Sequence, residues 1–387
     1  VSRSVILATP FRLFFLLAAA HAAVWVPLWL AVLEGRQLAT NLGPIGWHAH
    51  EMLFGYTGAV LAGFLLTAAR AWTRRPTIAG LPLLALVLLW AAGRAVALHS
   101  ARLPGLVPVA VDGLFWLAVA GATARAVVPA RSTRNLAFPG LLLVIGAADL
   151  VLHLHVTGAV GPLWSARSMP VAVDAIALII LIFGGRIIPM FTGNAIAEVT
   201  PRRKGLVDWI GLGLVGLLLV LHLAVRPGPV THWVGIAAGV ANAARLWGWG
   251  GSRTARSPIL WVLHLGWLLL SAAIALRGAA ALTPDVPGFA GTHLFTIGGL
   301  GLVTLGMMAR VSLGHTGRPL VVPTPVAIAF ALLVAAAAVR VGLPWVRPTL
   351  YLDALRISGT LWALAFATFA LRYAPILLSP RADGKPG

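Results

Sequence analysis

The chain has 387 residues, of which 59% are hydrophobic and 10% charged, and its mean hydropathy is +0.93. Soluble domains carry about a quarter charged residues, so a water-soluble enzyme is excluded and an all-α integral membrane protein is expected. The formal charge of +19 does not point to nucleic acid, because the basic residues are spread through short loops instead of massed on one face. The absence of cysteine excludes disulfides and thiolate or iron-sulfur ligation, leaving histidine as the main nitrogen or sulfur candidate for a metal ligand.

Crossing a bilayer takes about 20 mostly apolar residues. Twelve windows meet or approach that length: Phe11–Leu33, Trp47–Ala69, Ala79–His99, Leu103–Val127, Leu136–Val156, Arg167–Phe191, Leu206–Val225, Val230–Trp247, Pro258–Leu276, Val286–Arg310, Pro323–Gly342 and Leu352–Leu378. Val1 to Leu17 runs into the first of these without a small-residue cleavage site and reads as an anchor, not a signal peptide. The loops are short, so residues 1–387 are expected to form a single transmembrane domain.

Arginine placement sets the expected orientation. Arg70, Arg74 and Arg75, then Arg131 and Arg134, then Arg202, Arg203 and Lys204, then Arg253 and Arg256, then Arg318 fall in alternate loops, with Arg381 and Lys385 in the tail. The intervening loops hold Arg36, Arg102, Arg226 and Arg347, one apiece, plus Arg167 and Arg277 near helix ends. Positive residues favour the cytoplasmic side, which gives an N-in, C-in, twelve-helix topology.

Ionisable groups inside such helices are expensive and usually functional. The second window opens with Trp47-His-Ala-His-Glu-Met52, and His48 and His50 lie roughly 200° apart on a regular helix. They serve different partners unless the helix frays: one a metal, the other a second metal or a hydrogen bond. Glu51 can orient an imidazole or carry protons; its plainer role is a salt-linked interfacial carboxylate. His153 and His155 repeat the spacing at the end of the fifth window, with Asp149 one turn below His153 on the same helix face. That pattern suits a copper or proton site, or else an interfacial pair beside an Asp149 bonded to Arg94 or Arg186.

Asp112 and Asp174 lie inside the fourth and sixth windows, and with Glu51 and Asp149 they make four membrane-embedded acids out of ten. Each costs about 2.5 kcal/mol or more at the bilayer centre, so proton transfer or ion-pair glue is expected of them. The outer half also gathers His99, His222, His232 and His293, of which His99 and His232 fit plain interfacial residues. His21 and His264 sit deeper, as ligands or as core.

A weak echo joins two helices. Glycines follow His50 at Gly55, Gly58 and Gly63, and follow His293 at the same offsets, Gly298, Gly301 and Gly306; Arg70 and Arg310 close the two helices. Small residues at such spacing let helices approach or make room for a flat cofactor. Two inner segments complete the candidates: Gly184 to Thr192, where Pro189 is expected to break or bend the helix and free carbonyls for Arg186, and Arg310 to Pro319, with His315 in a glycine-flanked turn.

Pro10-Phe-Arg12, Trp47 to Met52, Gly184-Gly-Arg-Ile-Ile-Pro189, and His293 with Arg310 to Pro319 together resemble the NnrS family of bacterial inner-membrane proteins. The resemblance implies haem b and copper, nitric oxide as partner, and a place in denitrification or nitrosative-stress defence. The histidine map supplies places for them, with His48 or His50 and His293 as expected haem ligands. His21, His153, His155 and His222 are then further metal candidates, and Arg186, Arg310 and His315 further cofactor contacts. By analogy with haem-copper oxidases and related nitric oxide reductases, helices two and ten would hold the haem, although helix six offers Asp174 where those enzymes place a histidine. Three functions follow. The first is reduction of nitric oxide to nitrous oxide, with protons from Glu51, Asp149 and Asp174 and electrons from quinol or a periplasmic carrier. The second is a non-enzymatic haem sensor or buffer, and the third a transporter.

Overall fold

The structure, a computed structural model, describes residues 5–224 and 227–385. The expected boundary residue Val225, the outer-loop Arg226 and Val1 lie outside the described residues. Among the described residues there are helices and no strands. The main helices are α1 (Pro10–Leu33), α2 (Gly43–Thr73), α3 (Leu81–His99), α4 (Leu106–Val127), α5 (Ala137–Val156), α6 (Pro162–Ala195), α7 (Gly205–Ala224), α8 (Pro229–Ala244), α9 (Pro258–Ala279), α10 (Gly288–His315), α11 (Thr324–Val346) and α12 (Tyr351–Leu378).

Eleven of these are long and apolar enough to cross a membrane, and α8 is the short one, at 16 residues. At 1.5 Å per residue it spans roughly 24 Å, against a hydrocarbon core of about 30 Å. The expected window to Trp247 is cut at Ala244 because Gly248 and Gly250 adopt the left-handed conformation, with φ 91° and 78°. A second departure concerns Pro189: α6 continues past it to Ala195 instead of ending there. Proline is tolerated inside membrane helices, where surrounding groups can re-satisfy the carbonyl it frees.

The chain divides into two compact units, Val1–Ala175 with Val311–Pro319 and Ala370–Gly387, and Ile176–Arg310 with Leu320–Phe369. In the first unit α2 is the hub. Its most apolar window is 83% buried, against 28% for α1, and it packs on α1, α3 and α4. Its glycines make this possible: at Gly63 a Cβ would stand 2.8 Å from Phe14 Cβ of α1. Between Glu51 and Tyr56 the helix winds as a π-helix, and Thr57 donates its hydroxyl to Met52 O while Trp90 Nε1 donates to Gly55 O at 2.9 Å. A π segment holds one residue more than an α turn and re-aims the side chains on either side.

In the second unit α7, α8 and α9 pack in sequence, and α9 and α11 pack on α10. Buried polar bonds pin the first three together. Arg245 Nε donates to Asp208 Oδ1 at 2.7 Å, Asn242 Nδ2 to Gly211 O at 2.9 Å, and Trp267 Nε1 to Asn242 O at 2.7 Å. Helix α10 has its own π segment, Leu294–Gly301, directly after His293.

Candidate metal centre

Three helices of the first unit aim four ionisable side chains at one point. His50 comes from α2, Asp112 from α4, and Asp149 with His153 from successive turns of α5; all four are buried. His50 Nε2 lies 3.0 Å from Asp149 Oδ1, 3.4 Å from Asp112 Oδ2 and 3.2 Å from His153 Nε2. His153 Nε2 in turn lies 3.1 Å from Asp112 Oδ2 and 3.7 Å from Asp149 Oδ1. A tetrahedral ion bound at about 2.0–2.1 Å sets its ligand atoms about 3.3–3.4 Å apart, so these separations match the edges of such a ligand shell.

Two further observations favour an ion over plain hydrogen bonding. Asp149 Oδ1 accepts no hydrogen bond although His50 Nε2 is 3.0 Å away. And three buried carboxylates, Glu51, Asp112 and Asp149, gather beside one guanidinium among the described residues, Arg94, which pairs with the first two. The surplus of two negative charges is what a divalent cation offsets.

Polar and charged side chains surround the four. His50 Nδ1 donates to Glu51 Oε1 at 3.0 Å, which turns Nε2 toward the cluster in the carboxylate–histidine–metal pattern. Arg94, from α3, donates to Glu51 Oε1 and to Asp112 Oδ1, each at 2.8 Å, and so holds a ligand and its orienting group with one side chain. Trp116 Nε1 donates to Asp149 Oδ2 at 2.9 Å. His21 closes the network from α1, with Nε2 3.4 Å from Glu51 Oε2 and its ring stacked on Trp25. A narrow cleft bordered by Asn41, Ser100, Pro108, Val156 and Thr157 reaches His153.

The remaining candidates are placed elsewhere. His48 points away from His50, as the helical phase requires, and stacks on Trp29 at 4.0 Å. His155 Nδ1 donates to Val160 O at 2.9 Å, away from the four ligand atoms. Asp174 is buried in α6 and is not among the four. His315 is exposed, with Phe11 5.6 Å from its ring and Arg381 donating to its carbonyl. The second unit holds His222, buried in α7, Arg186, half-buried in α6, Arg310, 3.7 Å over the Phe191 ring, and His293, whose Nε2 is 3.3 Å from Arg340. Two members of the site, Asp112 as ligand and Arg94 as its brace, were not picked out by sequence reasoning in those roles. Their only signal is a charge costly enough to need a buried partner.

The family model for NnrS protein matches residues 5–381, nearly the whole chain. The chain belongs to the NnrS family. Membership links it to nitric oxide, and NnrS is a bacterial family. None of the curated proteins matches the chain. For this NnrS protein the donor set of two imidazoles and two carboxylates fits a divalent transition ion better than the soft Cu(I) state. Haem b does not fit on His50, since three other ligand atoms lie within 3.4 Å of its Nε2 and leave no face for a macrocycle.

Proposed function

We propose that this NnrS-family protein binds nitric oxide at a copper or iron ion held by His50, Asp112, Asp149 and His153, and reduces it to nitrous oxide. The spacing of the four ligand atoms carries the reading. When bound, the ion would supply electrons and a fifth coordination position, beyond the four side-chain ligands, for a diatomic gas that reaches it through the bilayer. The balance is two nitric oxide molecules, two electrons and two protons giving one nitrous oxide and one water, with quinol or a periplasmic carrier as electron source. Within the chain, Glu51 and Arg94 keep His50 and Asp112 aimed, and the cleft at His153 gives protons a way in. The protein works in the bacterial inner membrane.

Metal analysis of the purified full-length protein, with nitric oxide consumption and nitrous oxide formation followed under reductant, tests this. One ion per chain is expected, absent from His50→Ala and Asp112→Asn, together with nitrous oxide production lost in both. Wild-type protein without a transition ion, or variants that keep it, overturns the site. Nitric oxide binding without nitrous oxide keeps the site and replaces reduction by buffering or sensing.

A further inference from the structure

The echo between α2 and α10 goes deeper than glycine spacing. Each has a histidine directly before a π-helical segment: His50 before Glu51–Tyr56, and His293 before Leu294–Gly301. Each is followed by a helix that returns a buried arginine to that histidine's neighbourhood, Arg94 from α3 and Arg340 from α11. The chemistry then diverges. Leu294 stands where α2 has Glu51, and Arg94 has two carboxylate partners whereas Arg340 has no carboxylate within ion-pair distance among the described residues.

Arg340 is 3% exposed, and its charge is therefore uncompensated. Its Nη2 donates to the Tyr351 hydroxyl at 3.1 Å and lies 3.3 Å from His293 Nε2. Its Nη1 is buried and has no partner. The guanidinium sits 4.9 Å from the Phe289 ring centre and 5.0 Å from that of Tyr351, and such contacts offset only part of the cost of desolvating a cation. His293 Nδ1 donates to Phe289 O at 2.9 Å, which leaves Nε2 as an acceptor for Arg340. Two donors remain unspent at one place: Arg340 Nη1, and the Tyr351 proton, since that hydroxyl accepts from Arg340. Tyr351 is 37% exposed and opens α12, so a ligand can approach from its side.

We infer that Arg340 and Tyr351, braced by His293 and Phe289, form a second ligand site in the second unit that takes an oxyanion group. Its oxygens accept from Arg340 Nη1 and the Tyr351 hydroxyl and supply the missing negative charge. The site is the counterpart of the metal centre with the acids replaced, so it takes an anion where the first takes a cation. A phospholipid headgroup and a small free oxyanion share this chemistry.

Delipidated full-length protein in non-ionic detergent, titrated separately with phosphatidylglycerol and with inorganic phosphate and read by native mass spectrometry and thermal shift, tests the site. One probe is expected to bind wild-type protein and to bind Arg340→Gln about tenfold or more weakly, the scale of one charged hydrogen bond. Tyr351→Phe keeps the ring and the charge, and is expected to weaken binding several-fold at an unchanged thermal midpoint. Lipid binding alone assigns a headgroup, and phosphate binding assigns a free anion. Neither probe binding, or Tyr351→Phe binding as tightly as wild type, overturns the site, including where Arg340→Gln does not fold. His50→Ala, which empties the metal centre, is expected to leave this binding unchanged.

Discussion

At Gly55 a Cβ would stand 2.8 Å from Arg94 Nη1, 3.0 Å from His21 Nε2 and 3.1 Å from Glu51 Oε2. None of these atoms can retreat, because each is held inside the buried network. Gly55→Ala is therefore expected to lose the bound ion while the protein stays folded and inserted, checked by metal analysis beside circular dichroism. Glu51→Gln keeps the shape but weakens the brace on His50, and ion affinity should fall about 10- to 100-fold in a chelator competition. Arg94→Met removes the guanidinium paired with two buried carboxylates, Glu51 and Asp112, and breaking a buried pair this way costs about 3–5 kcal/mol. A sharply lowered thermal midpoint is the expected readout, and a midpoint within a degree of wild type counts against the network as drawn. His50, Asp149 and His153 are visible as candidates in the sequence because two imidazoles and an acid recur at helical spacing. Asp112 and Arg94 have no local pattern, and they join the site through space from separate helices.

The π segment of α2 is an element-scale device. It adds one residue to the winding between His50 and the glycines that pack on α1, so removing one residue should rotate the two halves of the helix by about 100° relative to each other. Deleting Met52 is expected to leave helix content intact and abolish ion binding; retained binding shows that the π winding does not aim His50. The tail is held by a different device. Arg381 donates to both oxygens of Asp383 and to His315 O, while Ala382 N donates to Thr316 O at 2.9 Å. The Arg381 hydrogen bonds hold the Asp383 carboxyl down at about 2. A depressed carboxyl contributes its pairing above the ordinary value near 4 and loses it as pH falls through about 2. Tail protection from proteolysis should accordingly be flat from pH 7 to about 4 and weaken progressively between about 4 and 2, whereas Asp383→Asn weakens it throughout the range above.

Across the molecule, the arginine pattern predicts both termini on the cytoplasmic side, which needs an even number of crossings. Eleven helices meet the length for crossing and α8, at 16 residues, is the twelfth. Reporter fusions at the two termini settle whether α8 crosses: same-side signals count it as a span, and opposite sides remove it. Hydropathy and loop charge add up residue by residue, which is why the all-helical membrane class, the number and place of the long helices and the family likeness could all be read from the chain alone. The end of α8 at Ala244 and the survival of α6 past Pro189 could not, because glycine conformation and re-satisfied backbone groups depend on neighbours. Nor could the two π segments, whose extra residue leaves no mark on a 3.6-residue period. Which ionisable groups meet was decided only by packing. His48 and His50 share a motif but part company, as do His153 and His155, since helical phase turns one of each pair inward. Asp112 and Arg94 enter from other helices, because a buried charge takes its partner from whatever the tertiary arrangement brings within about 3 Å.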